Sequence, residues 1–219
     1  MGARLRTDEN GGSVSDSRPV GRFADYSPRG GADPRPALPA DLRIRPVEFR
    51  DLSSVALLAA EREGGDVATH RSALEREFAR TREGDDLAIW VAELDGRVVA
   101  YARTVRFAPP SDAPRDTAPE GWYLMGVVVS PGSRRRGIAE ALTRARLDWL
   151  AARTDVVRYV ANARNAPTID LHARLGFREV TRRFTLPGVT FDGGVGILFE
   201  WIVADQERES DSPVPGNAG

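Results

Sequence analysis

Residues 127–139 read Val-Val-Val-Ser-Pro-Gly-Ser-Arg-Arg-Arg-Gly-Ile-Ala, an order of residue types that can hold a phosphorylated ligand. An apolar β-type run (Val127, Val128, Val129) ends in a Ser-Pro-Gly turn. Arg134, Arg135, Arg136 and Gly137 then lead into Ile138 and Ala139, where a helical pattern begins. The first amides of a helix lack carbonyl partners and sit at the positive end of its dipole, so they favour anions. Gly137 allows close backbone approach, and a pyrophosphate would suit the site. Three adjacent arginines also suit a solvated face or a nucleic-acid patch. Here they follow a buried-looking strand and open an amphipathic helix, the context that a phosphate cradle needs. Gly137 stands alone, without the three glycines of a dinucleotide fingerprint. All 31 basic residues are arginine, which excludes a Walker lysine and Schiff-base chemistry.

The elements that must position this segment follow from periodicity. Residues 42–47 alternate as a strand, and Pro46 marks an edge or an end. Leu52, Val55, Ala56 and Ala59 form one helix face, ended by Gly64-Gly65; Leu74 and Phe78 mark a second helix that closes before Gly84. Residues 87–94 read as a buried strand, joined through an Asp95-Gly96 hairpin to a strand over 98–107. A Pro-rich loop over 108–121 precedes a strand over 122–129. Ile138, Leu142, Ala145 and Trp149 give the next helix its face. A strand over 156–161, a helix over 166–175 and a hairpin of 179–191 with 196–203 complete the pattern. The hairpin would turn at Asp192-Gly193-Gly194. The order predicts an α/β single domain: a mixed, mostly antiparallel central sheet with helices on both faces.

Composition sets the frame. Of 219 residues, 41% are hydrophobic and 29% charged, with net charge -1, so nothing recruits nucleic acid or an acidic membrane by bulk charge. With no cysteine, a disulfide framework, a thiolate zinc site and a cysteine nucleophile are excluded. No run approaches the ~18 apolar residues of a membrane span, and the N-terminus lacks a signal-peptide core. A cytoplasmic location is expected, without a membrane or nucleic-acid partner. Residues 1–40 and 205–219 are rich in Gly, Pro, Ser and charge and read as disordered tails around a domain at 41–204.

On two motifs the chain resembles the GNAT superfamily of acetyl-CoA-dependent N-acetyltransferases. The family's Arg/Gln-x-x-Gly-x-Gly/Ala follows a strand, and Arg134, Gly137 and Ala139 match it. A second signature, Asn-x-x-small-x-x-Leu-Tyr-x-x-x-Gly-Phe, is matched by Asn165, Ile169, Leu171, Gly176 and Phe177. The resemblance implies a GNAT-like fold over roughly 42–203 and acetyl-CoA as co-substrate, with no metal. It implies that the backbones of Val127, Val128 and Val129 meet the pantetheine arm. The amides of Arg135, Arg136, Gly137, Ile138 and Ala139 would hold the pyrophosphate, with Arg134 adding charge and the Val127 amide facing the oxyanion. Asn165 would bond the cofactor arm, or cap the helix after it, or both.

Departures from the family bear on mechanism. Where the family often has a tyrosine that protonates the departing thiolate, this chain has His172, which would be only about a quarter protonated at pH 7. His172 is therefore a weak general acid or a packed helix residue. Where some histone-type members carry a catalytic glutamate, this chain has Tyr123, which could orient substrate. Glu93 and Glu120 are the nearby carboxylates. Glu61, Glu63, Asp66 and Asp192 lie in segments that border the acceptor site in the family, and acidic walls would favour a cationic amine. His70 reads as a surface residue. The expected function is direct acetyl transfer from acetyl-CoA to a small-molecule amine or a peptide N-terminus, by a monomer or homodimer. The rivals are a catalytically weak CoA-binding regulatory module and a nucleic-acid-binding domain that uses the arginine run.

Overall fold

The computed structural model describes residues 37–84, 86–191 and 193–203. The tails expected from composition fall outside these residues, apart from 37–40. In chain order the elements are β1 (Arg43–Pro46), α1 (Leu52–Glu63), α2 (Val67–Glu83), β2 (Leu87–Leu94), β3 (Arg97–Phe107), β4 (Gly121–Val129), α3 (Ile138–Ala151), β5 (Val156–Asn162), α4 (Ala166–Arg174), β6 (Arg178–Thr181) and β7 (Gly196–Ile202). They build one seven-stranded sheet in the order β1-β2-β3-β4-β5-β7-β6. Every pairing is antiparallel except β4 with β5. This is the mixed, mostly antiparallel sheet that the element order predicts. Pro46 lies on an edge strand, where its missing N–H costs no ladder bond.

Helices cover both faces. Leu52, Val55, Ala56 and Ala59 of α1 pack with Leu74 of α2 onto Leu87, Ile89, Val91 and Tyr101 of the sheet. Each fully buried large aliphatic there contributes about 2 kcal/mol. On the other face, Ala92 and Ala100 are small enough for Ile138 and Leu142 of α3 to settle against the strands. Trp122, Leu124, Tyr159 and Phe199 extend that layer beneath Leu147, Leu150, Leu175 and Phe177. Asp95 (φ 50°) and Gly96 (φ 72°) make the two-residue turn between β2 and β3.

Two expectations are corrected. The inward stripe of α3 is Ile138, Leu142, Arg146 and Leu150, flanked by Thr143 and Leu147, while Ala145 and Trp149 are only half-buried. A charged residue inside the stripe had displaced the apparent face. The final hairpin is also shorter than its sequence suggests. β6 stops at Thr181, and residues 182–191, which include Pro187-Gly188, make their backbone bonds to the loop before β4 and within the segment rather than to β7. Their one bridge is Thr185 with Thr117, which ties this segment to the loop before β4. Asp192 lies outside the described residues.

Candidate active site

β4 pairs with β5 only through Trp122, Tyr123 and Leu124. Beyond Leu124 the two parallel strands part, while the other edge of β4 stays on β3. There, Ala102 faces Val127 and Thr104 faces Leu124, so Met125 and Gly126 together oppose Arg103. Two residues against one is a β-bulge, which bends a strand and re-aims its amides. Gly126 is exposed in mid-sheet, and a Cβ built on it meets nothing within 4 Å. Ser130 N–H donates to Val99 O at 2.8 Å, so it points toward β3. Strand alternation then turns the N–H groups of Val129 and Val127 the opposite way, into the split. Arg134 Nε donates to Val129 O at 3.1 Å on that same edge.

The arginine segment forms a compact loop at the end of the split. A single 3-10 turn, Pro131–Ser133, is closed by Ser133 N–H donating to Ser130 O. Arg135 (φ 65°) and Gly137 (φ 78°) are both left-handed, the alternation that gathers successive N–H groups into an anion-binding concavity. Ala141 N–H makes the first bond of α3, to Gly137 O at 3.0 Å. The amides of Ile138 and Ala139 therefore precede the helical ladder. All three arginines of the run are exposed. Asn165 is the N-cap residue of α4, yet its side chain makes no capping bond. Its amide side chain can turn to a ligand instead.

The residues expected to do proton chemistry are held in other ways. His172 is 4% exposed and lies flat on Tyr159. Its Nδ1–H donates to Thr168 O at 2.8 Å. Burial lowers its pKa to about 4, against the raising effect of that bond. At neutral pH the ring is uncharged and its N–H is engaged, so it has no proton for a departing thiolate. Tyr123 OH donates to Pro119 O at 2.7 Å, and burial pushes its pKa up to about 12. The phenol ties down the loop before β4 and is no base near neutrality. Tyr159 OH, by contrast, is buried without a hydrogen-bond partner, on a residue paired with Leu124 where the strands part. Burial keeps it protonated.

The carboxylates are mostly structural. Glu93 joins Asp51 around Arg45 (2.7 and 2.6 Å), and Glu120 meets Arg106 at the surface. Asp66 caps α2 by accepting from Thr69 N–H at 2.9 Å. His70 Nε2 lies 2.7 Å from Gly64 O and fastens the α1–α2 turn. A groove of about 780 Å³ between α1 and the β2–β3 hairpin is lined by Arg45, Asp51, Leu57, Glu93 and Arg97. It lies away from the split, and the Arg45 cluster in its wall is paired internally.

Two features escaped the sequence reading. Arg103 crosses to the α2 side of the bulge, where Nη1 donates to Glu77 Oε1 at 2.8 Å. Arg146, wholly buried on the α3 side, donates from Nη1 to the carbonyls of Arg103 (3.0 Å) and Met125 (2.9 Å). Its interruption of an apolar stripe was the only signal in the sequence.

The profile of the Acetyltransferase (GNAT) family matches residues 53–177, more than half of the chain. The chain belongs to the GNAT family. The GNAT domain's fold recurs in solved structures. Ribosomal-protein-alanine N-acetyltransferase from Brucella melitensis is 25% identical with a TM-score of 0.55, covering 73% of this chain and 99% of its own. yncA from Salmonella typhimurium, solved with its cofactor acetyl-CoA, is 20% identical with a TM-score of 0.55, covering 82% and 99%. PaiA N-acetyltransferase from Thermoplasma acidophilum, solved with coenzyme A, is 14% identical with a TM-score of 0.54, covering 74% and 98%. No curated protein matches this sequence. Among the described residues of this GNAT chain, no group of three or more His, Asp or Glu could hold a metal ion. No described helix is long and apolar enough to cross a membrane.

Proposed function

We propose that the protein is an N-acetyltransferase that moves the acetyl group of acetyl-CoA directly to an amine. One observation carries the reading: the open edge of β4, with Val127 and Val129 amides turned into the split, runs straight into the left-handed loop of Arg135 and Gly137. A strand edge suits an extended amide-bearing arm, and a concavity of N–H groups beside Arg134, Arg135 and Arg136 suits a pyrophosphate. Open space at Gly126 leaves room for that arm, and Asn165 has a side chain free of the cap.

Within this site the acceptor nitrogen would bond to the acetyl carbon as the carbon–sulfur bond breaks. The electron pair leaves on sulfur, and the nitrogen gives its extra proton to solvent. Val127 N–H would donate to the carbonyl oxygen as it gains charge. With no cysteine in the chain, transfer in a ternary complex needs no thiol relay. The name of the Brucella relative supports a peptide N-terminus as acceptor, beside a small-molecule amine.

The engaged His172 and Tyr123 favour one second reading, a CoA-binding module with weak turnover. Calorimetry with acetyl-CoA, followed by CoA release across peptides and small amines, separates them. Micromolar binding with release for at least one acceptor class is expected. Binding without release for any amine would favour the module, and salt-sensitive DNA binding without acetyl-CoA binding would overturn both readings.

A further inference from the structure

Arg146 is an unusual occupant of its place. It is 0% exposed, lies between Leu142 and Leu150 on the buried stripe of α3, and has no carboxylate partner among the described residues. A guanidinium taken out of water is costly, and an apolar side chain of similar volume is often neutral or stabilising in its stead. Leucine or methionine would complete the stripe without that cost. What they lack are donors. Arg146 Nε donates to Leu142 O at 3.3 Å and Nη2 to Thr143 Oγ1 at 3.1 Å, which fix the side chain against its own helix. Thr143 is anchored in turn by donating to Ala139 O at 2.8 Å. Nη1 is then aimed at the sheet, where it bridges Arg103 O and Met125 O.

Those two carbonyls belong to the bulge itself. Met125 and Gly126 oppose Arg103, so the regular β3–β4 ladder cannot serve every polar group there. A buried carbonyl left without a donor is costly, and a bulge with such groups would relax toward regular pairing. Val127 follows two residues after Met125, and its N–H direction depends on how the bulge turns the chain. Nη1 holds both carbonyls through its two N–H bonds while Nε and Nη2 of the same planar group are fastened to α3, a division of donors that a single ammonium cannot reproduce.

We propose that Arg146 is a positioning residue for acetyl transfer, clamping the β4 bulge from the α3 side so that Val127 N–H is presented in the split. This rests on the acetyltransferase reading above. Arg146 acts through the backbone and need not touch the substrate. Its loss is therefore expected in the chemical step, because an oxyanion donor displaced by an ångström forfeits much of its effect.

The test compares the full-length wild type with Arg146→Met and Arg146→Lys. Amide hydrogen exchange over 125–129, measured without ligand, should be at least tenfold faster in Arg146→Met, with exchange in α1 and β2 unchanged. With an accepting amine, kcat should fall at least tenfold while KM for acetyl-CoA stays within about threefold. Arg146→Lys keeps a cation but not the fork, and should fall between in both measures. It also serves if the methionine variant does not fold. Unchanged exchange over 125–129 in both variants, or unchanged kcat with faster exchange, would overturn the proposal. A wild type that releases CoA to no acceptor would instead count against the proposed function. The exchange comparison would still show whether Arg146 holds the bulge.

Discussion

His172 lies parallel to Tyr159, with ring centroids 3.8 Å apart and 17° between the planes, and so faces an aromatic surface where a general acid would need water or a leaving group. Burial holds the ring neutral in the folded protein, with a pKa of about 4. In the unfolded chain it titrates near 6.5. A base whose folded pKa is depressed costs nothing above pH 6.5. As pH falls from about 6.5 to 4 the unfolded state takes up the proton first, and stability is lost. The span corresponds to about 3 kcal/mol. Denaturant melts of wild type and His172→Phe between pH 7.5 and 4 should therefore converge, with the wild type losing its relative advantage. Parallel curves would place the titration elsewhere. Turnover at pH 7.5 should fall by less than tenfold in His172→Phe if the ring is only packing.

Tyr123→Phe separates tethering from chemistry. The variant loses the hydrogen bond to Pro119 O at 2.7 Å, worth about 1 kcal/mol. Melting temperature should drop by a few degrees and proteolysis of the loop over 108–120 should quicken, with kcat within a few-fold of wild type. A hundredfold loss of kcat at unchanged KM would return Tyr123 to the reaction.

The Tyr159 hydroxyl makes the opposite prediction. It is buried without a partner, so Tyr159→Phe removes an unsatisfied group and should leave stability equal or higher, by up to about 1 kcal/mol. A concurrent fall in kcat would show that the hydroxyl donates to the reacting group. Equal kcat would leave it as packing against Phe199 and His172.

Much of this architecture was readable in the chain because its causes are local. Asp95-Gly96 specifies a tight hairpin, the face of α1 keeps strict helical spacing, and the turn into Gly137 announces itself by composition. The site's chemistry was less readable because its causes are not local. Pro119 lies only four residues before Tyr123, yet only the folded loop brings its carbonyl round to accept the phenol's hydrogen bond, and nothing near His172 says that Tyr159 will cover it. Asp66, a candidate acceptor wall by position, caps α2 because its neighbour Val67 begins a helix. Arg146 was hidden by the rule that charges face water. Only the bulge, a relation between β3 and β4, gives a guanidinium a reason to be inside.

Gly137 has φ 78°, a conformation that strains any residue with a Cβ. Gly137→Val should lower stability by about 1–3 kcal/mol and abolish acetyl-CoA binding, since both the loop angle and the approach to its amides are lost. Gly137→Ala should weaken affinity less. Calorimetry on both, with circular dichroism to confirm the fold, is the check. Full affinity in the valine variant would remove the pyrophosphate from this loop.

Gly126 allows the split to be tested with little confounding. It is exposed within a strand, its φ lies outside the left-handed region, and an added Cβ meets nothing within 4 Å. The folded chain should therefore accept Gly126→Leu with a stability change within about 0.5 kcal/mol. If an extended arm lies along the open edge of β4, the leucine fills its path. Acetyl-CoA affinity should then drop at least a hundredfold, while Gly126→Ala loses only part of it. Free pyrophosphate is the control, because its site at Arg135 and Gly137 is untouched by the change. Its weak binding should persist in the leucine variant. Wild-type affinity for acetyl-CoA in Gly126→Leu would mean that the arm runs elsewhere, and the assignment of the split as its channel would fall.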